Sequence, residues 1–164
     1  MNVTFKTAEK ADLSNITATY NAAVKSGGIT ADTHLQTIEE RLQWFEVHLQ
    51  SQSPVWTITQ NESYCGWMSL SVFYGRPAYQ GCKEISLYLN SNAQGLGIGK
   101  LALKHAIEYS KTHNIHTLLA FIFKRNQSSR ALFTQMHFIQ WGLLPKIAVF
   151  EDYAEDLELY GLKL

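Results

Sequence analysis

Hydrophobic positions along this chain switch between a two-residue and a three-to-four-residue period, and each switch marks a predicted element. Val3 and Phe5 alternate with polar neighbours and predict a short first strand. From Asp12 the spacing lengthens: Leu13, Ile16, Tyr20 and Val24 recur on or near one face of a helix, which Gly27-Gly28 breaks. Thr37 and Glu40 form a Thr-x-x-Glu capping box, in which each side chain satisfies a backbone amide left unpaired at a helix start. Ile38, Leu42, Phe45 and Leu49 predict the apolar stripe of the helix that follows. After Pro54 the period returns to two. Val55 to Gln60 and Tyr64 to Val72 predict a hairpin around Asn61-Glu62, and Glu84 to Leu89 a third β-prone run. A helix is predicted from about Gly97 to His113, with Leu103, Ala106, Ile107 and Ser110 facing inward. Thr117 to Phe123 is nearly all apolar, as expected of a strand covered on both faces. A short helix from Ser128 to Met136 and strands around Gln140 to Phe150 and Asp156 to Leu162 complete the chain. Hairpins early and a β-α-β unit late predict a mixed α/β (α+β) domain spanning residues 1–164, with no linker or repeat dividing it.

Composition excludes more than it assigns. Fourteen basic and fourteen acidic residues cancel, so the clustered basic excess that nucleic acid or an anionic membrane surface requires is missing. No apolar run approaches the roughly 18 residues that span a bilayer. The alternating, polar start from Met1 to Glu9 lacks the apolar stretch of a signal peptide. Two cysteines, Cys65 and Cys82, make no disulfide framework and no CxxC pair, so a cytoplasmic protein is expected. Cys82 has no neighbouring histidine to activate it and reads as a small core residue. None of the six histidines has metal-ligand spacing, and His113 and His116 read as a surface or capping pair, so no metal is expected.

The segment with the strongest chemical signal is Asn92-Ala93-Gln94-Gly95-Leu96-Gly97-Ile98-Gly99-Lys100, between a predicted strand and a predicted helix. Alternating glycines let a backbone approach a ligand closely, and amides at a helix N-terminus attract phosphate through their N–H groups and the helix dipole. A P-loop does not fit, because Gly95 and Gly99 are too close and Leu101 stands where a magnesium-binding hydroxyl belongs. A dinucleotide fingerprint does not fit either, because its third glycine would fall on Lys100. A plain turn would give up about 0.5–1 kcal/mol of backbone entropy per glycine relative to alanine.

What fits is Gln-x-x-Gly-x-Gly, Gln94 to Gly99, directly after Glu-Ile-Ser-Leu-Tyr-Leu; it resembles the pyrophosphate motif of the GNAT superfamily of acetyltransferases. The likeness covers nearly the whole chain. Tyr20 to Val24, Thr37-x-x-Glu-Arg-x-x-Trp-Phe, Gly66-Trp67, Gly75-Arg76-Pro77-Ala78-Tyr79, Glu84 with Tyr88, and Asn126 follow one another as in the phosphinothricin acetyltransferase branch. The resemblance implies a mostly antiparallel central sheet, splayed at its middle and flanked by helices, with acetyl-CoA as co-substrate and a homodimer as the assembly. It implies that the strand residues Leu87, Tyr88 and Leu89 run beside the pantetheine arm. The amides of Gln94, Gly95, Leu96, Gly97, Ile98 and Gly99 would hold the pyrophosphate, and Asn126 would contact the cofactor arm. The implied reaction is transfer of acetyl to the amine of a small amino-acid-like substrate, of the phosphinothricin or methionine sulfoximine type. Acetylation of a protein or peptide, or a non-catalytic acyl-CoA-binding role, stands as the alternative.

Acyl transfer to an amine arriving as ammonium needs a carboxylate to remove a proton and a donor for the oxyanion. Glu84 matches the family's proposed base, against the plainer reading of a charged residue at a strand end. Arg76 would grip a substrate anion through paired hydrogen bonds or else stand as a solvated loop arginine. Tyr79 and Tyr88 would line the same pocket or simply pack. The chain departs from the family at Phe133, where a tyrosine or histidine is usual, and at His137, which replaces a turn glycine. Lys124-Arg125 reads as a solvated strand end rather than a contact to the 3′-phosphate of CoA.

Overall fold

The structure, a computed structural model, describes residues 2–164. Its strands are β1 (Val3–Thr7), β2 (Val55–Gln60), β3 (Ser63–Val72), β4 (Cys82–Leu89), β5 (Thr117–Phe123), β6 (Ile139–Val149) and β7 (Ala154–Lys163). Four α-helices accompany them: α1 (Leu13–Ser26), α2 (Ile38–Gln50), α3 (Ile98–Thr112) and α4 (Gln127–Gln135). The strands form one seven-stranded sheet in the order β1-β2-β3-β4-β5-β7-β6. Every neighbouring pair is antiparallel except the central β4 and β5, which run parallel with α3 as their crossover. The predicted elements are all present. β4 starts two residues earlier than the apolar run suggests, and a short 3₁₀ turn (Lys10–Asp12) precedes α1.

Two cores lie on opposite faces of the sheet. On one face α3 buries Ile98, Ala102, Leu103 and Ala106 against Met68, Leu70, Ile85, Leu118, Ala120 and Ile122. On the other, α1 and α2 bury Leu13, Ile16, Tyr20 and Phe45 against Val55 and Trp67. β5 contributes Leu118, Ala120 and Ile122 to the α3 side and buries Leu119 and Phe123 as well, which accounts for its unbroken apolar run.

The central ladder is short. Cys82, Lys83 and Glu84 pair with Thr117, Leu118 and Leu119, and the register stops there. β4 nevertheless continues to Leu89 and β5 to Phe123. Across β4, by contrast, the pairing with β3 runs its whole length, from Val72↔Lys83 to Gly66↔Leu89. The sheet is therefore split down its middle, beginning immediately after Glu84. Gly66 permits the close β3–β4 approach: a Cβ there would collide with the Tyr88 carbonyl oxygen.

The inward face of α2 differs from its apolar stripe. Leu49 is 55% exposed and Ile38 is 50% exposed, whereas Arg41, Phe45 and His48 are buried. The sheet face beneath α2 presents Trp67 and the serines of β3, and its aromatic rings receive the Arg41 guanidinium (see below) in preference to two aliphatic side chains. The capping box forms as predicted: Thr37 Oγ1 accepts from the Glu40 amide at 3.2 Å, and the Thr37 amide donates to Glu40 Oε2 at 2.7 Å. Thr37→Ala removes one half of that exchange and is expected to lower stability by about 1 kcal/mol, read as a lower urea midpoint at unchanged m-value.

Candidate acyl-transfer cleft

Where β4 and β5 part, a narrow cleft of about 90 Å³ opens, lined by Glu84, Ser86, Leu87 and Tyr88 from β4, by Ala120 and Ile122 from β5, and by Asn126, Ser129 and Phe133 around α4. Backbone alternation fixes what β4 offers to this space. The Asn90 amide donates to the Cys65 carbonyl at 2.8 Å, so the N–H and C=O groups of Tyr88, Ser86 and Glu84 turn toward β3 in step with it. Those of Ile85, Leu87 and Leu89 therefore point toward β5. Because β5 is not paired there, they form an open edge of hydrogen-bonding groups inside the split.

The glycine segment lies just beyond the end of β4. Gly95 and Gly97 have φ of +73° and +82°, the left-handed region that favours glycine, and a Cβ at either would meet nothing within 4 Å. Open space on that side is what a close-fitting ligand needs. Gly97 is the N-cap of α3, so the first amides of that helix have no side-chain cap. Gln94 folds back and donates from Nε2 to the Leu89 carbonyl at 3.2 Å, tying the loop to the strand. Gly99 has a different role: a Cβ there would press within 2.8 Å of Leu132 Cδ2, so it lets α3 approach α4. The chain thus supplies extended backbone groups along β4 and free amides at a helix N-terminus at its end. Both suit an elongated donor carrying a pyrophosphate. The Asn126 side chain is partly committed as a cap, with Oδ1 accepting from the Ser129 amide at 3.1 Å.

Glu84 stands at the point of divergence, half-buried, and burial pushes its carboxyl above the usual carboxylate range. Phe133 is buried against Phe138 with ring centroids 4.9 Å apart and carries no proton. His137 sits in the turn after α4 with φ of +66°, a conformation that explains why glycine is usual at that position.

The face of the cleft toward α1 and α2 holds a buried network that sequence reasoning missed. Arg41 is 6% exposed, and its guanidinium carbon lies 3.9 Å from the Tyr20 ring centroid, 4.5 Å from Trp44 and 5.5 Å from Trp67. Its Nε and Nη2 have no hydrogen-bond acceptor among the described residues. Aromatic faces take the place of acceptors, at roughly 0.5–2 kcal/mol for each such contact. Compensating negative charge comes from behind Tyr20, whose hydroxyl donates to Asp32 at 2.6 Å. Burial, aided by Asp32, raises the Tyr20 hydroxyl to about 12. Thr30 lies 2.6 Å from the Tyr20 hydroxyl, and the Tyr20 ring meets Tyr88 edge-on at 5.1 Å between centroids; burial holds the Tyr88 hydroxyl far above the ordinary phenol range. Asn21 clamps the same loop by accepting from the Gln36 amide at 2.8 Å and donating to the Gln36 carbonyl at 2.9 Å. Together these bonds hold residues 28–36 over the cleft, with Ile29 in its lining.

Arg76 and Tyr79 lie elsewhere, on the exposed loop between β3 and β4, and do not line the narrow part of the cleft. That loop leaves the sheet at the Glu84 end. Tyr79 packs edge-on with Phe73 and Tyr74, and Arg76 forms no ion pair among the described residues. Lys124 and Arg125 are paired with Asp156 and Glu155 at 3.3 and 2.6 Å. No group of three or more His, Cys, Asp or Glu side chains among the described residues is arranged to hold a metal.

Comparisons with known proteins agree with this geometry. Residues 17–138 match the model of the "Acetyltransferase (GNAT) family". A curated relative in Bacillus subtilis (strain 168), "Putative phosphinothricin acetyltransferase YwnH", is 36% identical over 99% of both chains. An "L-methionine sulfoximine/L-methionine sulfone acetyltransferase" of Salmonella typhimurium is 28% identical over 99% of this chain and 95% of its own. Among solved structures, a GNAT superfamily phosphinothricin acetyltransferase from Sinorhizobium meliloti in complex with AcCoA superposes with a TM-score of 0.94 at 26% identity, covering 100% of this chain and 89% of the other. A sheet split beside a capless helix N-terminus, and these likenesses over the full length, identify the chain as a member of the GNAT family of acetyltransferases.

Proposed function

We propose that this protein transfers acetyl from acetyl-CoA to the amino group of a small amino-acid-like substrate of the phosphinothricin or methionine sulfoximine type. The observation that carries the reading is the split itself. An unpaired β4 edge starts at a half-buried carboxylate, faces Asn126 and ends at free helix-α3 amides. In this reading the pantetheine arm hydrogen-bonds the Leu87 and Leu89 backbone beside Tyr88. The pyrophosphate meets the amides from Gln94 to Gly99, and Asn126 contacts the arm from α4. Relatives named for acetylation of phosphinothricin and of methionine sulfoximine support the substrate class.

Chemistry follows from what each group can do. Glu84, made more basic by its burial, takes the proton from the substrate ammonium. The freed amine attacks the thioester carbon, and a β4 backbone N–H facing the split receives the developing oxyanion, a kind of contact typically worth about 3 kcal/mol. The intermediate collapses as its C–S bond breaks; with Phe133 in place of a hydroxyl or imidazole, the thiolate leaves without a proton from that position and takes, through solvent, the proton that the acylated nitrogen sheds. Arg76, unpaired on the loop at the Glu84 end, receives the substrate's carboxylate or phosphinate.

The same reading places the protein in the cytoplasm as a homodimer. Both cysteines are free and buried, and no helix of the described residues is long and apolar enough to cross a membrane. β6 is an edge strand whose Ile139 (66%), Ile147 (56%) and Val149 (76%) side chains are exposed. Pro145, Lys146 and a register break blunt the edge itself, but exposed apolar side chains of this kind call for a partner, and a second copy supplies a matching set.

Thiol release from acetyl-CoA, measured across a panel of free amino acids, methionine sulfoximine and sulfone, phosphinothricin, polyamines and peptides, should single out an amino-acid analogue. A peptide or polyamine preference, or acetyl-CoA binding without turnover, would overturn the reading. Glu84→Gln should lower kcat/KM by about 10²-fold or more. In the unsubstituted enzyme kcat/KM should rise with pH through an apparent pKa above the ordinary carboxylate range, because only ionised Glu84 accepts the proton. Gly97→Ala, which adds a Cβ at positive φ among the pyrophosphate-binding amides, should raise KM for acetyl-CoA about tenfold with kcat within about twofold. Ile147→Glu should convert a dimer to a monomer in light scattering, and an unchanged mass would refute the β6 contact.

A further inference from the structure

β3 carries a row of three serine and tryptophan positions, Trp67, Ser69 and Ser71, whose opposite partners on β4 are Tyr88, Ser86 and Glu84. Directly opposed residues of an antiparallel ladder project to the same face. Ser71 therefore stands beside Glu84 on the α2 side of the sheet, with Cα atoms about 5.5 Å apart as in a hydrogen-bonded ladder pair.

Above Ser71 lies His48 of α2, which is 4% exposed. Its Nδ1 is 2.9 Å from the Trp44 carbonyl oxygen and its Nε2 is 2.9 Å from Ser71 Oγ. A carbonyl oxygen only accepts, so Nδ1 must carry the proton. In the neutral ring Nε2 then has only a lone pair, and Ser71 must donate to it. Burial keeps the ring neutral, and the positive charges of Arg41 on α2 and Lys83 on β4 act in the same direction. The hydroxyl hydrogen of Ser71 is thus committed to α2, which leaves only lone pairs on Oγ for its ladder partner Glu84. The other titratable groups near this stretch are Tyr88, along β4 on the same face, and Tyr20 with Asp32 behind it; the carboxyl of Glu84 is raised by burial, and its charge in turn helps to raise Tyr88.

We propose that His48 and Ser71 are positioning residues for Glu84: His48 holds the Ser71 hydroxyl hydrogen away, so Ser71 Oγ can accept from protonated Glu84 but cannot donate to its carboxylate. The proposal rests on Glu84 acting as the general base. Its effect is to favour the protonated product of base catalysis over the ionised starting state, either directly or through one bridging water. A carboxylate flanked by donors would be a weak base, because hydrogen bonds to the charged form favour that form. An acceptor-only neighbour in a half-buried site keeps the base strong.

Substitutions at the two positions separate this role from simple packing, through the acidic limb of the kcat/KM profile on the preferred amine. In His48→Phe the Ser71 hydroxyl is released and can turn to the carboxylate, so the limb should move to lower pH by about one unit, with a lower plateau. Ser71→Ala removes the acceptor without adding a donor and should give a smaller shift in the same direction. Ser71→Thr keeps the hydroxyl and should keep the limb in place. The His48→Phe/Ser71→Ala double variant should match Ser71→Ala alone, because the donor that His48→Phe releases is gone. A limb that vanishes in Glu84→Gln yet stays fixed in both Ser71→Ala and His48→Phe overturns the proposal alone. Equal shifts in His48→Phe and the double variant overturn it too, since the effect would not pass through Ser71. A limb that survives Glu84→Gln overturns the general-base reading and the proposal together. Ser71→Ala, a small change at a half-buried strand position, carries the test if His48→Phe does not fold.

Discussion

Everything proposed for this protein depends on one break in hydrogen bonding: β4 and β5 pair at Cys82–Glu84 and then separate. An unpaired strand edge inside a sheet is costly, because backbone N–H and C=O groups away from water need partners. The cost is tolerable where a ligand with its own amides and carbonyls completes the ladder. The split also determines where chemistry can occur. It starts at Glu84, it is narrow, and its far end opens on the amides of α3. The geometry that binds an extended donor is thereby the geometry that delivers its reactive end to a half-buried carboxylate.

The surrounding structure keeps that break from spreading. β3 pairs with β4 along its full length, and β7 pairs with β5 from Thr117 to Phe123, so each half of the sheet is anchored on its outer side. Separate cores under α3 and under α1 and α2 hold the two faces. On the α2 side, Arg41 lies against three aromatic rings with Asp32 behind Tyr20, and Tyr20, bonded to Thr30 and packed on Tyr88, ties the 28–36 loop to β4. A buried cation of this sort is a doubtful source of stability by itself, since desolvation offsets much of the attraction. Its clearer consequence is to fix the floor on which Tyr88, Ser86 and Glu84 are displayed.

Much of this was legible in the sequence because periodicity reports burial directly. The hairpins, the apolar β5 and the capping box at Thr37 follow from local rules, and the glycines at 95 and 97 announced a backbone that needs positive φ and open space. Leu49 shows where that logic stops. A helix stripe drawn from apolar residues misplaced the inward face of α2, because an arginine among aromatic rings outcompeted two aliphatic side chains for the sheet. Nothing in one helix reveals that Tyr20, Trp44 and Trp67 converge. The His48–Ser71 contact was hidden for the same reason, since it joins residues 23 positions apart through a register that only the folded sheet defines. Arg76 and Tyr79 were visible as residue types, but their distance from the narrow part of the cleft was not.

The most direct measurement is a crystal structure of the protein with acetyl-CoA. The account predicts the pantetheine along Ile85 to Leu89, hydrogen-bonded to the Leu87 and Leu89 backbone. It also predicts the pyrophosphate on the amides from Gln94 to Gly99, and the thioester carbonyl within hydrogen-bond distance of a β4 amide beside Glu84. A donor bound outside the split, or one whose thioester lies beyond the reach of Glu84 even through a water, would contradict it.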